Sequence, residues 1–189
     1  MMLSNIILRA LKNIVSFLEK NNIDYCLFGG LAMQLYKRIR ATRDIDLMIA
    51  VEQNKIADLV NQIQQEEGFS FDKKKGVIKL KGLELLRVIY TDRDTGFEIF
   101  IDLVTATTEF PKQILKRKRK DDFLGIAVNV VSLEDLILLK AIADRPIDFV
   151  DAAFLCKENK EIINKNYLKI WAKKLGVLDR VKEILKADA

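Results

Sequence analysis

The chain has 189 residues, half of them hydrophobic, with a net charge of +5 and a pI near 9.1. That length and composition exclude a disordered chain and suit one domain, or a compact domain with a helical extension. The absence of histidine removes serine and cysteine triads, histidine-ligated zinc and any histidine base, so carboxylates, Lys, Arg and a metal would have to carry any catalysis.

Leu3, Ile7, Leu11, Ile14 and Leu18 recur at helical spacing and predict a helix over 3–20. A buried strand follows at 24–28, ending at Gly29-Gly30, with a helix expected from Leu31 to Arg38. Ile45, Leu47 and Ile49 alternate with Asp44, Asp46 and Met48, the pattern of a strand with one face on a core. A helix is expected over 54–66. Strands at 77–80, 85–90 and 97–104 are separated by Lys81-Gly82 and by Asp92-Arg93-Asp94-Thr95-Gly96. In the last strand Glu98, Phe100 and Asp102 share one face.

A strand near 127–131 leads to Ser132, an N-cap candidate with Asp135 three residues on. Helices are expected over 133–144, 147–157, 161–173 and 176–187, with Pro146 breaking the first pair. The order divides the chain into a core, 1–131, and a helical C-terminal part, 132–189, packed on it. No apolar run is long enough to span a bilayer, and no signal-peptide order opens the chain. Cys26 and Cys156 lack metal or redox spacing. These features point to the cytoplasm.

Asp44 and Asp46 carry the chemical signal. Asp is depleted in strands, yet two stand on one face of an apolar strand, with Cα atoms roughly 6–7 Å apart. Solvation of a strand end, or pairing with Arg43, would be the plainer explanation. A divalent cation held by carboxylates and substrate phosphates explains the pair better, and Asp102 supplies a third carboxylate. Gly29-Gly30 sits at a strand-to-helix corner where backbone amides can approach phosphate. Lys140 projects from the apolar side of its helix, toward the surface or into a cleft. Asp148 and Asp151 suit an exposed helix start. The basic run at 112–120 reads as a solvated loop or hairpin, or as an RNA contact.

Taken together, Gly29-Gly30, Thr42-Arg43-Asp44-Ile45-Asp46-Leu47 and Asp102 in Glu98-Ile99-Phe100-Ile101-Asp102-Leu103 resemble nucleotidyltransferases of the DNA polymerase β type. Leu133-Glu134-Asp135-Leu136 through Lys140, with Arg145-Pro146-Ile147-Asp148 through Asp151, resembles the nucleotidyltransferases of type IV abortive-infection toxins. The resemblance implies an α/β (α+β) fold, a mixed β-sheet flanked by helices with a helical C-terminal part. It implies NMP transfer from NTP to an acceptor hydroxyl, with two Mg²⁺ ions or Mn²⁺ in their place. Asp44, Asp46 and Asp102 would bind metal and act in catalysis. Gly29, Gly30, Arg43, Lys140 and Asp148 would contact the nucleotide. Where many relatives carry Gly-Ser this chain has Gly29-Gly30, so a phosphate-binding hydroxyl is missing.

The expected acceptor is tRNA or other RNA, or a protein, with a cognate antitoxin as a further partner. A small-molecule acceptor of the aminoglycoside or lincosamide type is the alternative. An inactive RNA- or protein-binding module and a nucleotide-sugar glycosyltransferase are the competing classes. No membrane partner is expected, and the sequence leaves the oligomeric state open.

Overall fold

The computed structural model describes residues 2–71, 77–80 and 83–187. The Leu3 side chain and the Lys81-Gly82 turn expected from sequence lie outside these described positions.

Helix α1 (Met2–Lys20) buries Ile6, Ala10, Leu11, Ile14 and Leu18 on the face its periodicity predicts. It leads to β1 (Tyr25–Phe28), a short helix α2 (Gly29–Gln34) and β2 (Asp44–Ile49). Helix α3 (Ile56–Gln65) then precedes β3 (Phe69–Phe71), β4 (Val77–Leu80), β5 (Leu83–Thr91) and β6 (Glu98–Thr105). Helix α4 (Glu109–Arg117) comes next, followed by a hairpin of β7 (Arg119–Phe123) and β8 (Ile126–Val130). Four helices close the chain: α5 (Leu133–Ala143), α6 (Pro146–Glu158), α7 (Lys165–Lys174) and α8 (Leu178–Lys186).

Among the described residues the strands form one mixed sheet in the order β3-β5-β6-β2-β1-β8-β7, with β4 on β5. The central pair, β2 and β6, runs parallel and sets Ile45 beside Ile101 and Leu47 beside Leu103. All four are fully buried, so the apolar alternation of both strands lies on one face. The opposite face receives Asp44, Asp46 and Asp102. A slip of one residue would reverse both faces, which fixes the register.

Several boundaries differ from expectation. Helix α2 opens at Gly29 and stops at Gln34, because Lys37 adopts a left-handed conformation. Helix α7 starts four residues late: Asn164 caps it by accepting from the Tyr167 amide at 2.9 Å. Helix α8 starts late for a related reason, since Gly176 has φ of +71°. The basic run at 112–120, expected as a loop or hairpin, is helical in α4 up to Arg117 and then enters the β7–β8 hairpin. The Ser132 cap forms as expected, accepting from the Asp135 amide at 3.3 Å. None of the described helices is long and apolar enough to cross a membrane.

Candidate active site

One cavity of about 530 Å³ opens on the acidic face of β2 and β6, between the sheet and helices α2, α5 and α6. That volume lies within the ordinary range for small-molecule sites. Gly29, Gly30, Arg43, Asp44, Asp46 and Asp102 line it from the sheet side; Lys140 and Asp148 line it from the helices. Every site residue picked out in the sequence therefore faces the same space.

The geometry follows from strand register. Asp46 pairs across the parallel ladder with Asp102, so their carboxylates project side by side from one face. Asp44 stands on that face one pleat away. Phe28 pairs with Asp46 on the other side, which brings the Gly29 corner directly against the Asp46 carboxylate. A Cβ at Gly29 would fall 1.9 Å from Asp46 Oδ2, and Gly29 also has φ of +67°. No side chain fits there. At Gly30 a Cβ would fall 2.7 Å from Thr42 Oγ1. The Thr42 side chain thus fills the volume that a residue with a side chain at position 30 would need.

The Asp46 carboxyl is pushed up to about 6 by burial first, then by repulsion from Asp102 and Asp44; the Gly30 amide and Lys140 oppose this only in part. Among the described residues neither Asp44 nor Asp46 has an ion-pair partner. Asp102 differs. Arg87 grips both of its oxygens, Nε to Oδ1 at 2.7 Å and Nη2 to Oδ2 at 2.6 Å. The sequence reading passed over Arg87, although a single cation between Leu86 and Val88 in an apolar strand was the same kind of signal as Asp102.

Lys140 reaches inward and does not snorkel to the surface. Its Nζ donates to Asp148 at 2.8 Å and to Asp151 at 3.4 Å. Neither aspartate is exposed, contrary to the expected solvated helix start. The reason is the loop between α2 and β2: Arg38 and Arg40 both come within 3.2 Å of Asp151. Arg145 holds the second Asp148 oxygen at 2.5 Å. Burial raises the Asp148 pKa, but the bonds and charges of Arg145 and Lys140 outweigh it and leave the group below the ordinary range. Arg38 and Arg40 were the other residues missed; they carry no motif and become meaningful only once α6 packs beside them.

Half of the basic segment is consumed within the fold, while Lys112, Lys116 and Lys120 are exposed. Arg117 pairs with Glu134 at 2.7 Å and Asp135 at 3.2 Å, Lys118 with Asp24 at 2.9 Å, and Arg119 with Asp121 at 2.7 Å. Among the described residues no group of three or more acidic, histidine or cysteine side chains is arranged to hold a metal ion by itself.

A family model described as "Nucleotidyl transferase of unknown function (DUF2204)" matches residues 7–176. No curated protein matches the sequence. Among solved structures, the fold is similar to that of an antigenic nucleotidyltransferase-like protein from Paracoccidioides brasiliensis (TM-score 0.55, 18% identity, 95% of this chain and 92% of that one). It is similar to the lincosamide antibiotic adenylyltransferase LnuA, solved with lincomycin (TM-score 0.51, 16% identity, 82% and 97%). A third similar structure is ANT(2″)-Ia in complex with adenylyl-2″-tobramycin (TM-score 0.54, 15% identity, 92% and 94%).

Proposed function

The chain belongs to the nucleotidyl transferase family whose model spans residues 7–176, and from that premise we propose that it transfers NMP from an NTP to an acceptor hydroxyl with the help of a divalent cation. The observation that carries this reading is the Asp46–Asp102 register beside the Gly29 corner. It supports a triphosphate bound where backbone amides, acids and cations meet.

Hard carboxylate oxygens suit Mg²⁺ or Mn²⁺, and such ions are commonly completed by substrate phosphates. Asp44 and Asp46 fit that role because among the described residues neither has an ion-pair partner, and because burial first, then repulsion from Asp102 and Asp44, pushes Asp46 up to about 6. When bound, the ion would polarise the α-phosphate and steady the leaving pyrophosphate. Gly30 and the Thr42 hydroxyl would meet phosphate oxygens. Thr42 supplies from the loop the hydroxyl that the diglycine lacks; its bond to the Asp44 carbonyl is long, at 3.4 Å, leaving the group able to turn toward a ligand. Arg43 would approach the triphosphate from the rim. Lys140 would act on the phosphates through its charge, with Asp148 and Asp151 fixing its position. Asp102 keeps outer lone pairs beyond those Arg87 engages and would accept the acceptor's proton. In this reading residues 1–131 form the nucleotide-binding core and 132–189 close the cavity from above.

For the acceptor we favour a small hydroxyl compound over RNA, since Arg117, Lys118 and Arg119 are already paired within the fold. The similar structures bound to lincomycin and to adenylyl-tobramycin support the same choice. Cys26 and Cys156, both buried and too far apart in sequence for a redox or metal motif, support a reducing cytoplasm. The test is incubation with each α-labelled NTP, Mg²⁺, and in turn lincosamides, aminoglycosides, total tRNA and cell protein. Label on a small molecule is expected. Label entering tRNA or a protein would return the toxin-like reading and its antitoxin, and no transfer to any acceptor would favour an inactive binding module.

A further inference from the structure

Three residues stand in one rank across adjacent strands: Arg87 pairs with Asp102 between β5 and β6, and Asp102 pairs with Asp46 between β6 and β2. Their side chains share the acidic face. The Arg87 guanidinium carbon lies over the Phe100 ring, 5.0 Å from its centroid, while Nε and Nη2 bind the two Asp102 oxygens. Such a two-point grip is the geometry for which an arginine is pre-organised. The cation is held from three directions: by its strand, by the ring beneath it and by the carboxylate in front.

A metal ion bridging Asp46 and Asp102 would have to displace the guanidinium or bind beside a fixed positive charge. Displacement would leave a half-buried arginine without its carboxylate in a cavity already lined by Arg40, Arg43 and Arg145. Asp44 and Asp46 are open in a way that Asp102 is not.

We infer that Arg87 stands in for one of two cations: the Asp44–Asp46 pair takes a single divalent ion, and Asp102 works as a carboxylate positioned by Arg87, outside the metal's coordination. The inference rests on the nucleotidyl-transfer reading and changes its metal stoichiometry. Arg87 is a positioning residue in this scheme, and its removal should improve metal binding even as it harms transfer.

The experiment is calorimetric titration of the full chain with Mn²⁺ alone near neutral pH. Wild type, Arg87→Met, Arg87→Lys, Asp46→Asn and the remote Arg93→Met would be compared, with folding checked by circular dichroism. Wild type should bind one Mn²⁺. Arg87→Met should bind a second ion, or the first about tenfold or more tightly, the scale on which groups just outside a metal's ligands act. Arg87→Lys keeps the charge and should keep the wild-type stoichiometry; Arg93→Met should match wild type. A merely structural role for Arg87 would weaken Mn²⁺ binding when it is lost. Two ions on wild type, or unchanged or weaker binding by Arg87→Met, would overturn the inference and leave nucleotidyl transfer intact. Failure of wild type to bind Mn²⁺ at all would remove both.

Discussion

Asp46 sits in an environment that is poor for an isolated carboxylate and good for one facing a cation. Its ordinary value of 3.8 rises to about 6 in the fold, so the folded chain holds that proton more tightly than the unfolded chain does. Between those values the native state binds more protons, and stability falls as pH rises through that window. Above it the full penalty remains, up to about 3 kcal/mol by conversion of the interval. Asp46→Asn should therefore stabilise the metal-free protein at neutral pH by about 1–3 kcal/mol, with the gain vanishing below about pH 4. Urea melts of both proteins at several pH values would check this. A constant or reversed difference would contradict the placement of Asp46 among like charges.

Two glycines carry the other argument at this scale. Gly29→Ala should lower stability by at least about 1–2 kcal/mol through the left-handed backbone alone and should also displace Asp46, abolishing turnover. Gly30→Ser should fail because Thr42 occupies its space, whereas Gly30→Ser combined with Thr42→Ala should recover folding and some activity. Thermal melts and a label-transfer assay of the single and double variants would decide. The sequence made the diglycine visible but not its reason. That reason is a contact between Gly30 and Thr42, brought together by the β1–β2 pairing.

At the scale of elements, α5 and α6 of the C-terminal part are tied to the α2–β2 loop by buried charge. Asp151 on α6 receives Arg38, Arg40 and Lys140 together and is fully buried. Asp151→Ala would leave three cations without their common partner, a change that typically costs about 3–5 kcal/mol. Arg145, which is mostly exposed, should cost far less when replaced. Chemical denaturation of the two variants would measure the contrast, and equal effects would argue against the buried hub.

Strand and helix identities were largely legible, since β2, β6 and α1 have clean periodicity and one buried face. The α2–β2 loop and α4 were not. Helix α4 is hidden by Pro111 near its start and by the basic run it leads into, although Phe110, Pro111, Ile114 and Leu115 are buried. The roles of Arg38 and Arg87 depend on partners 113 and 15 residues away. Local pattern could suggest that Arg87 was unusual, but not that Asp102 was its partner.

Across the whole molecule, the net charge of +5 overstates what is available to a polyanion. Substituting Lys112, Lys116 and Lys120 together by Ala should leave stability within about 0.5 kcal/mol, as exposed positions usually do, and should not alter transfer to a small acceptor. Arg117→Ala should instead unsettle the junction of α4, α5 and α7, because Arg117 joins Glu134 and Asp135 and lies 3.7 Å from the Tyr167 ring centroid. Comparing melting temperature and transfer rate for these two variants tests whether the basic segment is structural. A strong, salt-sensitive loss of transfer in the triple lysine variant would instead point to an RNA acceptor.

Pyrophosphate release from the preferred NTP, measured with and without Mg²⁺ for wild type and for Asp46→Asn at matched folded fraction, bears most directly on the account. Wild type should release pyrophosphate only with the metal, and the variant should lose at least about a hundredfold, as expected when a cation stabilising a developing charge is removed. Turnover by Asp46→Asn at the wild-type rate would contradict it.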